Sequence, residues 1–237
     1  MIFTRKYSPR IGDFNSEGDI SLRAILELLE QIGFCHSEAV KDKLMAVQDV
    51  EIAWVLAEWT VKLAGNIRPG QELTFNTWVT GKPSASSTMR EMEVLDENGN
   101  PVLQALSRFA LFNTETGKLT RITPELFGNY QPEPAAKNEY PSGRMKEKGE
   151  YDREGQVTVR KADMDFNGHV HNSVYMDYAR EVIETPRNEI GYFRIGYKSP
   201  VKEGEVLTVR HGMGEEEWVE IFHQDGTLCT IIHIGKK

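Results

Sequence analysis

One pattern is written twice in this chain. The stretch Ile20 to Phe34, ISLRAILELLEQIGF, places apolar residues at 22, 25, 26, 28, 29 and 32, the spacing of one wide helical stripe. Asp19 or Ser21 can cap its start and Gly33 can end it. Strand-like runs follow at 52–64, 71–82 and 88–113, the last split by the turn DENGNP. The order then returns. Residues 172–186 carry Val174, Tyr175, Tyr178 and Val182 at helical spacing, with Pro186 as a stop. The segment 193–210 matches VKLAGNIRPGQELTFN, most closely in the turns IRPGQELTF and VKEGEVLTV. Residues 218–234 form a hairpin around HQDG. Such self-similarity constrains the chain to two copies of one unit, and it is read before any single motif. Asp-Phe-Asn occurs at 13–15 and again at 165–167, which sets the copies 152 residues apart.

A helix followed by a meander of strands predicts an α+β architecture, each copy a sheet wrapped around its helix. The expected divisions are a first unit at 1–129, a linker at 130–150 rich in Pro, Glu, Lys and Gly, and a second unit at 151–237. With 237 residues, each unit buries a modest core and the two together bury more.

Composition narrows the function. The hydrophobic and charged fractions, 39% and 27%, are those of an ordinary globular protein. A net charge of -8 disfavours nucleic acid as a partner, because phosphate binding needs a dense basic surface. No apolar run approaches a membrane span, and the N-terminus has no apolar signal core, so the expected location is the cytoplasm. Cys35 and Cys229 lie outside any CxxC pattern among apolar neighbours and read as buried thiols.

The most distinctive segment is DMDFNGHVHNSVYMDYARE, 163–181. It resembles the active-site segment of the hotdog-fold thioesterases, and the whole chain resembles the acyl-acyl carrier protein (acyl-ACP) thioesterases. The family pattern Asp-x-Asn-x-His-Val-Asn-Asn, then Tyr and Glu, is met here by Asp165, Asn167, His169, Val170, His171, Asn172, Tyr175 and Glu181. The first half contributes GDFNSEGDISLRAILELLEQIG, TFNTWVTG and TGKLTRITPEL, so the likeness runs nearly the full chain. It implies a tandem hotdog fold and hydrolysis of acyl-ACP to free fatty acid in fatty acid biosynthesis. The implied partner is an acyl carrier protein bearing an acyl-phosphopantetheine. No metal and no cofactor are implied. His169 and His171 do form His-x-His beside Asp163 and Asp165, but no third ligand with clear spacing accompanies them.

Thioester hydrolysis needs a nucleophile, a polarised carbonyl and a departing thiolate, the last being easy at a thiol pKa of roughly 8.5. Asp165 is the candidate base or direct nucleophile, and burial at the mouth of an apolar tunnel would strengthen it. Asn167 can orient water or carbonyl, although Asn is also favoured in turns. His169 can donate to the carbonyl or shuttle a proton. The N–H groups of Gly168 and Val170 are candidate oxyanion donors. Glu181 is a tentative second carboxylate, sharing a helix face with Asp177. In the first copy Asp13 and Asn15 remain, while Glu17-Gly18-Asp19 replaces His-Val-His. By resemblance that half shapes the acyl pocket, with Ile25, Leu28, Leu29 and Trp54 as lining candidates.

Two departures stand out. His171 occupies a position where the family has Asn. Tyr197-Lys198-Ser199-Pro200-Val201 stands where plant members carry a Tyr followed by Arg-Arg-Glu-Cys, so the Glu and Cys side chains are missing. An acyl-CoA thioesterase is the alternative within the class, and a hotdog enoyl-thioester hydratase the alternative outside it. The hydratase motif resembles Gly-Asp-x-Asn-Pro-x-His, which this chain does not reproduce. Arg160, Lys161, Lys198 and Lys202 are candidates for a basic patch facing an acidic carrier protein. Fusion of two units makes a monomer or a homodimer of such chains the expected assembly.

Overall fold

A computed structural model describes residues 1–42, 51–81 and 84–237. Lys82, the last residue of the run predicted at 71–82, lies outside the described residues. The chain divides into two compact units, 1–20 with 27–140 and 141–237 with 21–26.

In the first unit, strand β1 is Phe3–Tyr7, helix α1 Leu22–Ala39 (from residue 27 on), β2 Ile52–Leu63, β3 Leu73–Val79, β4 Ser87–Leu95 and β5 Pro101–Asn113. A two-residue β6, Lys118–Leu119, pairs with β5, and a short helix α2, Pro124–Gly128, follows. The sheet order is β1-β3-β4-β5-β2, antiparallel throughout. Local chemistry sets the elements. Ser21 caps α1 by accepting from the Ala24 N–H at 3.0 Å. Asp96 organises the β4–β5 turn by accepting from the N–H groups of Asn98 (2.9 Å) and Asn100 (2.8 Å), with Gly99 at φ +82°. Gly33 does not end α1, which runs six residues further. Its missing Cβ instead admits β4, since a Cβ there would sit 3.3 Å from Met92 Cε.

The second unit repeats this plan. Strand β7 is Arg153–Thr158, helix α3 Tyr175–Arg180, β8 Ile190–Tyr197, β9 Val206–Met213, β10 Glu217–Phe222 and β11 Leu228–Lys236. The order is β7-β9-β10-β11-β8, the first unit's order again. The second helix is far shorter than predicted. A 3-10 turn at Asn172–Val174 leads into α3, which stops at Arg180 rather than Pro186. The cause is distant in sequence. The buried Glu217 carboxylate takes the N–H groups of Glu184 (2.6 Å) and Thr185 (3.1 Å), which a continuing helix would have bonded internally.

The segment predicted as a linker is pinned at both ends, each time by a fully buried glutamate. Glu91 on β4 accepts from the N–H groups of Lys137 (2.6 Å) and Asn138 (2.9 Å), from Asn138 Nδ2 (2.8 Å) and from the Tyr140 hydroxyl (3.0 Å). Glu220 on β10 accepts from the Lys148 N–H (2.8 Å) and the Tyr151 hydroxyl. Burial raises the Glu220 pKa, and its hydrogen bonds only partly offset that. Cys229 is buried as expected, and burial pushes its thiol up to about 12; Cys35 is half-buried and accepts from Arg5 Nη1 at 2.9 Å, correcting its reading as a buried thiol.

Candidate active site

The motif DMDFNGH forms a tight turn whose frame is laid by Asp163, not Asp165. Asp163 is 1% exposed. It accepts from the Arg160 N–H (2.8 Å), from Arg160 Nη2 (2.7 Å) and from the Tyr178 hydroxyl (2.8 Å). Burial works against its charge. The bonds from Arg160 and Tyr178 outweigh that and hold its carboxyl below the ordinary 3.8. Sequence reading missed this role; the signal was the Arg-x-x-Asp spacing, present at 10–13 and at 160–163.

A depressed carboxyl makes stability depend on pH with a definite sign. The Asp163 contribution is complete above its ordinary value and is lost as pH falls through the lower folded one. Urea midpoints measured from pH 7 to 3 should therefore fall less steeply below about pH 4 in Asp163→Asn than in wild type. The variant should also start from a lower midpoint at pH 7, because the Tyr178 hydroxyl and Arg160 lose their acceptor.

Asp165 sits at the start of the turn. One carboxylate oxygen accepts from the N–H groups of Asn167 (2.8 Å) and His169 (3.1 Å); the other meets Asn167 Nδ2 at 3.4 Å. Its own N–H reaches the His169 carbonyl at 2.7 Å. It is half-buried, so the deep burial expected of it is not found; the turn orients it instead. Gly168 takes φ +75°, which the turn requires. Asn167 is exposed and His169 half-buried.

The predicted oxyanion donors are corrected. The Gly168 N–H donates to the Asp165 carbonyl (3.1 Å) and the Val170 N–H to the Val201 carbonyl (3.0 Å), so neither is open to a substrate. His171 caps the following turn, its Nδ1 accepting from the Ser173 N–H at 3.3 Å and meeting Ser173 Oγ at 2.9 Å. An Asn in that place would cap as well, which accounts for the exchange. Glu181 is the exposed C-cap of α3, and Asp177, in its first turn, is ion-paired with Arg23 at 2.7 Å. Of the expected basic patch, Arg160 is committed to Asp163, while Lys161, Lys198 and Lys202 are exposed.

The first unit holds the same turn, and its geometry corrects the alignment of the copies. Asn15 Oδ1 accepts from the N–H groups of Glu17 (3.0 Å) and Asp19 (2.9 Å), and the Asn15 N–H reaches the Asp19 carbonyl at 2.8 Å. Gly18 has φ +86°, and the Arg10 N–H donates to Asp13 at 2.7 Å. The copies are therefore 150 residues apart, and the shared Asp-Phe-Asn is a coincidence two places out of step. Asp165, Asn167 and His169 correspond to Asn15, Glu17 and Asp19. The first unit keeps the turn and none of the three side chains.

It carries instead a small recess of about 20 Å³, open to solvent, lined by Trp54, Val79, Phe109, Phe127, Arg90 and Tyr130 among others. Of the predicted pocket residues only Trp54 lines it; Ile25, Leu28 and Leu29 are buried on α1 and do not. Arg90 is almost wholly buried. It meets His36 Nδ1 at 2.8 Å and lies 5.5 Å from the Tyr130 ring centre, and burial with the Arg90 charge lowers His36 to about 3. The Tyr130 hydroxyl donates to Asp42 at 2.6 Å. The recess thus has aromatic and aliphatic walls with one polar side.

Both halves of the chain match known domains. The acyl-ACP thioesterase N-terminal domain matches residues 1–130, and the acyl-ACP thioesterase C-terminal domain matches 146–228. This chain belongs to the acyl-ACP thioesterase family. An acyl-ACP thioesterase from Bacteroides thetaiotaomicron superposes with a TM-score of 0.86 at 18% identity, covering 100% of this chain and 98% of that one. A 12:0-ACP thioesterase from Umbellularia californica gives 0.84 at 19%, with 100% and 97% covered. The tandem hotdog fold of the family is thus the fold of this thioesterase-family chain. Oleoyl-acyl carrier protein thioesterase 1 of Arabidopsis thaliana is 19% identical over 230 residues, 87% of this chain and 62% of that protein. The chain spans about three fifths of the length of such curated relatives.

Proposed function

We propose that this chain is a thioester hydrolase that releases fatty acid from acyl-ACP, with its chemistry in the second unit. The observation that carries the reading is the contrast at one shared turn. Both units build it, but the second places carboxylate, amide and imidazole at three positions where the first has amide, carboxylate and carboxylate, so the imidazole is found in the second alone. The turn forms without the imidazole and without a carboxylate at its first position, as Asn15, Glu17 and Asp19 demonstrate.

Asp165 acts on water or directly on the thioester carbon. In the first route it takes a proton from water as the hydroxide adds to the carbonyl. In the second its oxygen bonds to the carbon and water later cleaves the anhydride. The His169 imidazole and the Asn167 amide supply the donors for the developing oxyanion. The phosphopantetheine thiolate then leaves without needing a strong acid. Lys161, Lys198 and Lys202 are suited to an acidic carrier.

Thiol release measured on acyl-ACPs of stepped chain length tests this. Release from acyl-ACP with a chain-length optimum is expected, at higher kcat/KM than from the matching acyl-CoA. No release from any acyl-ACP, with hydration of an enoyl thioester instead, would overturn the reading. Glu181→Gln should keep activity close to wild type, because the exposed C-cap leaves its carboxylate in solvent.

A further inference from the structure

A second chain of chemistry-bearing groups lies in the same unit. Ser199 Oγ is 2.9 Å from His223 Nε2, and His223 Nδ1 is 2.7 Å from Glu205 Oε2. Hydroxyl, imidazole and carboxylate thus stand in the serial order of a serine hydrolase, each partly accessible to solvent. We propose that Ser199 is a second nucleophile, activated by His223 and oriented through Glu205, that accepts acyl groups from activated esters.

The supporting geometry is specific. Glu205 is fixed at both oxygens, since its Oε1 accepts from the Lys202 N–H at 2.7 Å. Burial works against its charge, but the bonds from Lys202 and His223 hold its carboxyl below the ordinary range. A carboxylate only accepts, so Nδ1 carries the proton in the neutral ring, and Nε2 offers its lone pair to Ser199. Ser199 Oγ also lies 3.1 Å from the Leu228 carbonyl. Its single proton goes to Nε2 when the ring is neutral and to Leu228 when the ring is charged.

The bland reading is a clasp between two loops. The first unit argues against it, because it makes the same loops without the clasp. Lys198 and Ser199 donate N–H bonds to the Cys229 carbonyl as Ala64 and Gly65 do to that of Val102. Lys202 N–H bonds Glu205 as Arg68 N–H bonds Gln71. His223 and Gly226 close the β10–β11 turn as Asp96 and Gly99 close the β4–β5 turn. Ser199, Glu205 and His223 therefore correspond to Gly65, Gln71 and Asp96. The scaffold is shared and the three reactive groups are not. The Val170–Val201 backbone bond also ties this loop to the residue after His169.

In the reaction, Ser199 Oγ bonds to the acyl carbon as its proton moves to Nε2. The carbon–leaving-group bond then breaks, and the Nε2 proton passes to the leaving thiolate or phenolate. Water cleaves the acyl-serine by the same steps in reverse, restoring the Ser199 hydroxyl. Good leaving groups, thioesters and aryl esters, are the substrate class.

A fluorophosphonate probe reads this site without thioester or carrier protein, so its outcome is independent of the Asp165 reading. The full chain is incubated with the probe, then measured by intact mass and peptide mapping. One adduct on Ser199 is expected. Ser199→Ala should give none, and His223→Gln should label roughly 10²-fold more slowly, with circular dichroism confirming the fold. Glu205→Gln should also slow labelling, by less. Absence of a Ser199 adduct where a known serine hydrolase labels fully, or wild-type labelling by His223→Gln, would overturn the proposal.

Discussion

Asp165→Asn should abolish thioester hydrolysis while leaving the protein folded as before. The expected loss in kcat is roughly 10²–10⁴-fold, the scale of a missing base or nucleophile. Asn15 holds the equivalent turn in the first unit, with its Oδ1 accepting the same two N–H groups at 3.0 and 2.9 Å. An Asn at 165 can accept both bonds now made by Asp165 Oδ1, so the urea midpoint should move by less than about 0.5 kcal/mol equivalent. Asp165→Ala differs, because it leaves the N–H donors of Asn167 and His169 without their acceptor and adds a stability cost of about 1–2 kcal/mol. Thiol release and urea titration on the two variants separate chemistry from architecture. Near-wild-type release by a well-folded Asp165→Asn would remove Asp165 from the mechanism.

Glu91→Ala should be among the most destabilising single changes in the first unit. Four donors converge on that carboxylate from residues 137, 138 and 140, and the residue is wholly buried. Removing the acceptor strands buried N–H and O–H groups, at about 3 kcal/mol or more. Glu91→Gln should be nearly as harmful, since its NH₂ would face a backbone N–H now 2.6 Å from the carboxylate. The readouts are the urea midpoint and tryptic cleavage after Lys137, which should accelerate as 137–140 comes loose. Unchanged cleavage with an unchanged midpoint would show that the segment is held by something else.

The repeat and its hairpins were legible because turn chemistry is local. Asp96 with Gly99, and Gly226 with His223, announce their turns within five residues. The length of the second helix was not legible, because the group that ends it, Glu217, is more than thirty residues away. The register between the copies was misread for a different reason. Three identical letters outweighed the pattern that geometry obeys, an Arg-x-x-Asp step followed by Asx turn and glycine. Once the register is 150, the motif Asp165-Asn167-His169 becomes more distinctive, since none of it survives in the other copy. The oxyanion donors failed because a sequence cannot show where an N–H is already spent. Ser199, Glu205 and His223 escaped notice because they are scattered; only alignment against Gly65, Gln71 and Asp96 brings them together.

The shared turn, built once with Asn15 and once with Asp165, bears on how such a protein can change. Two separate identical chains would share one gene, so every mutation would strike both copies together. Written in a single reading frame, each copy accumulates its own changes. One can lose reactive groups without inactivating the other, and a new hydroxyl or imidazole can be tried in one place only. Inheritance, rather than the fold, is what makes the asymmetry affordable.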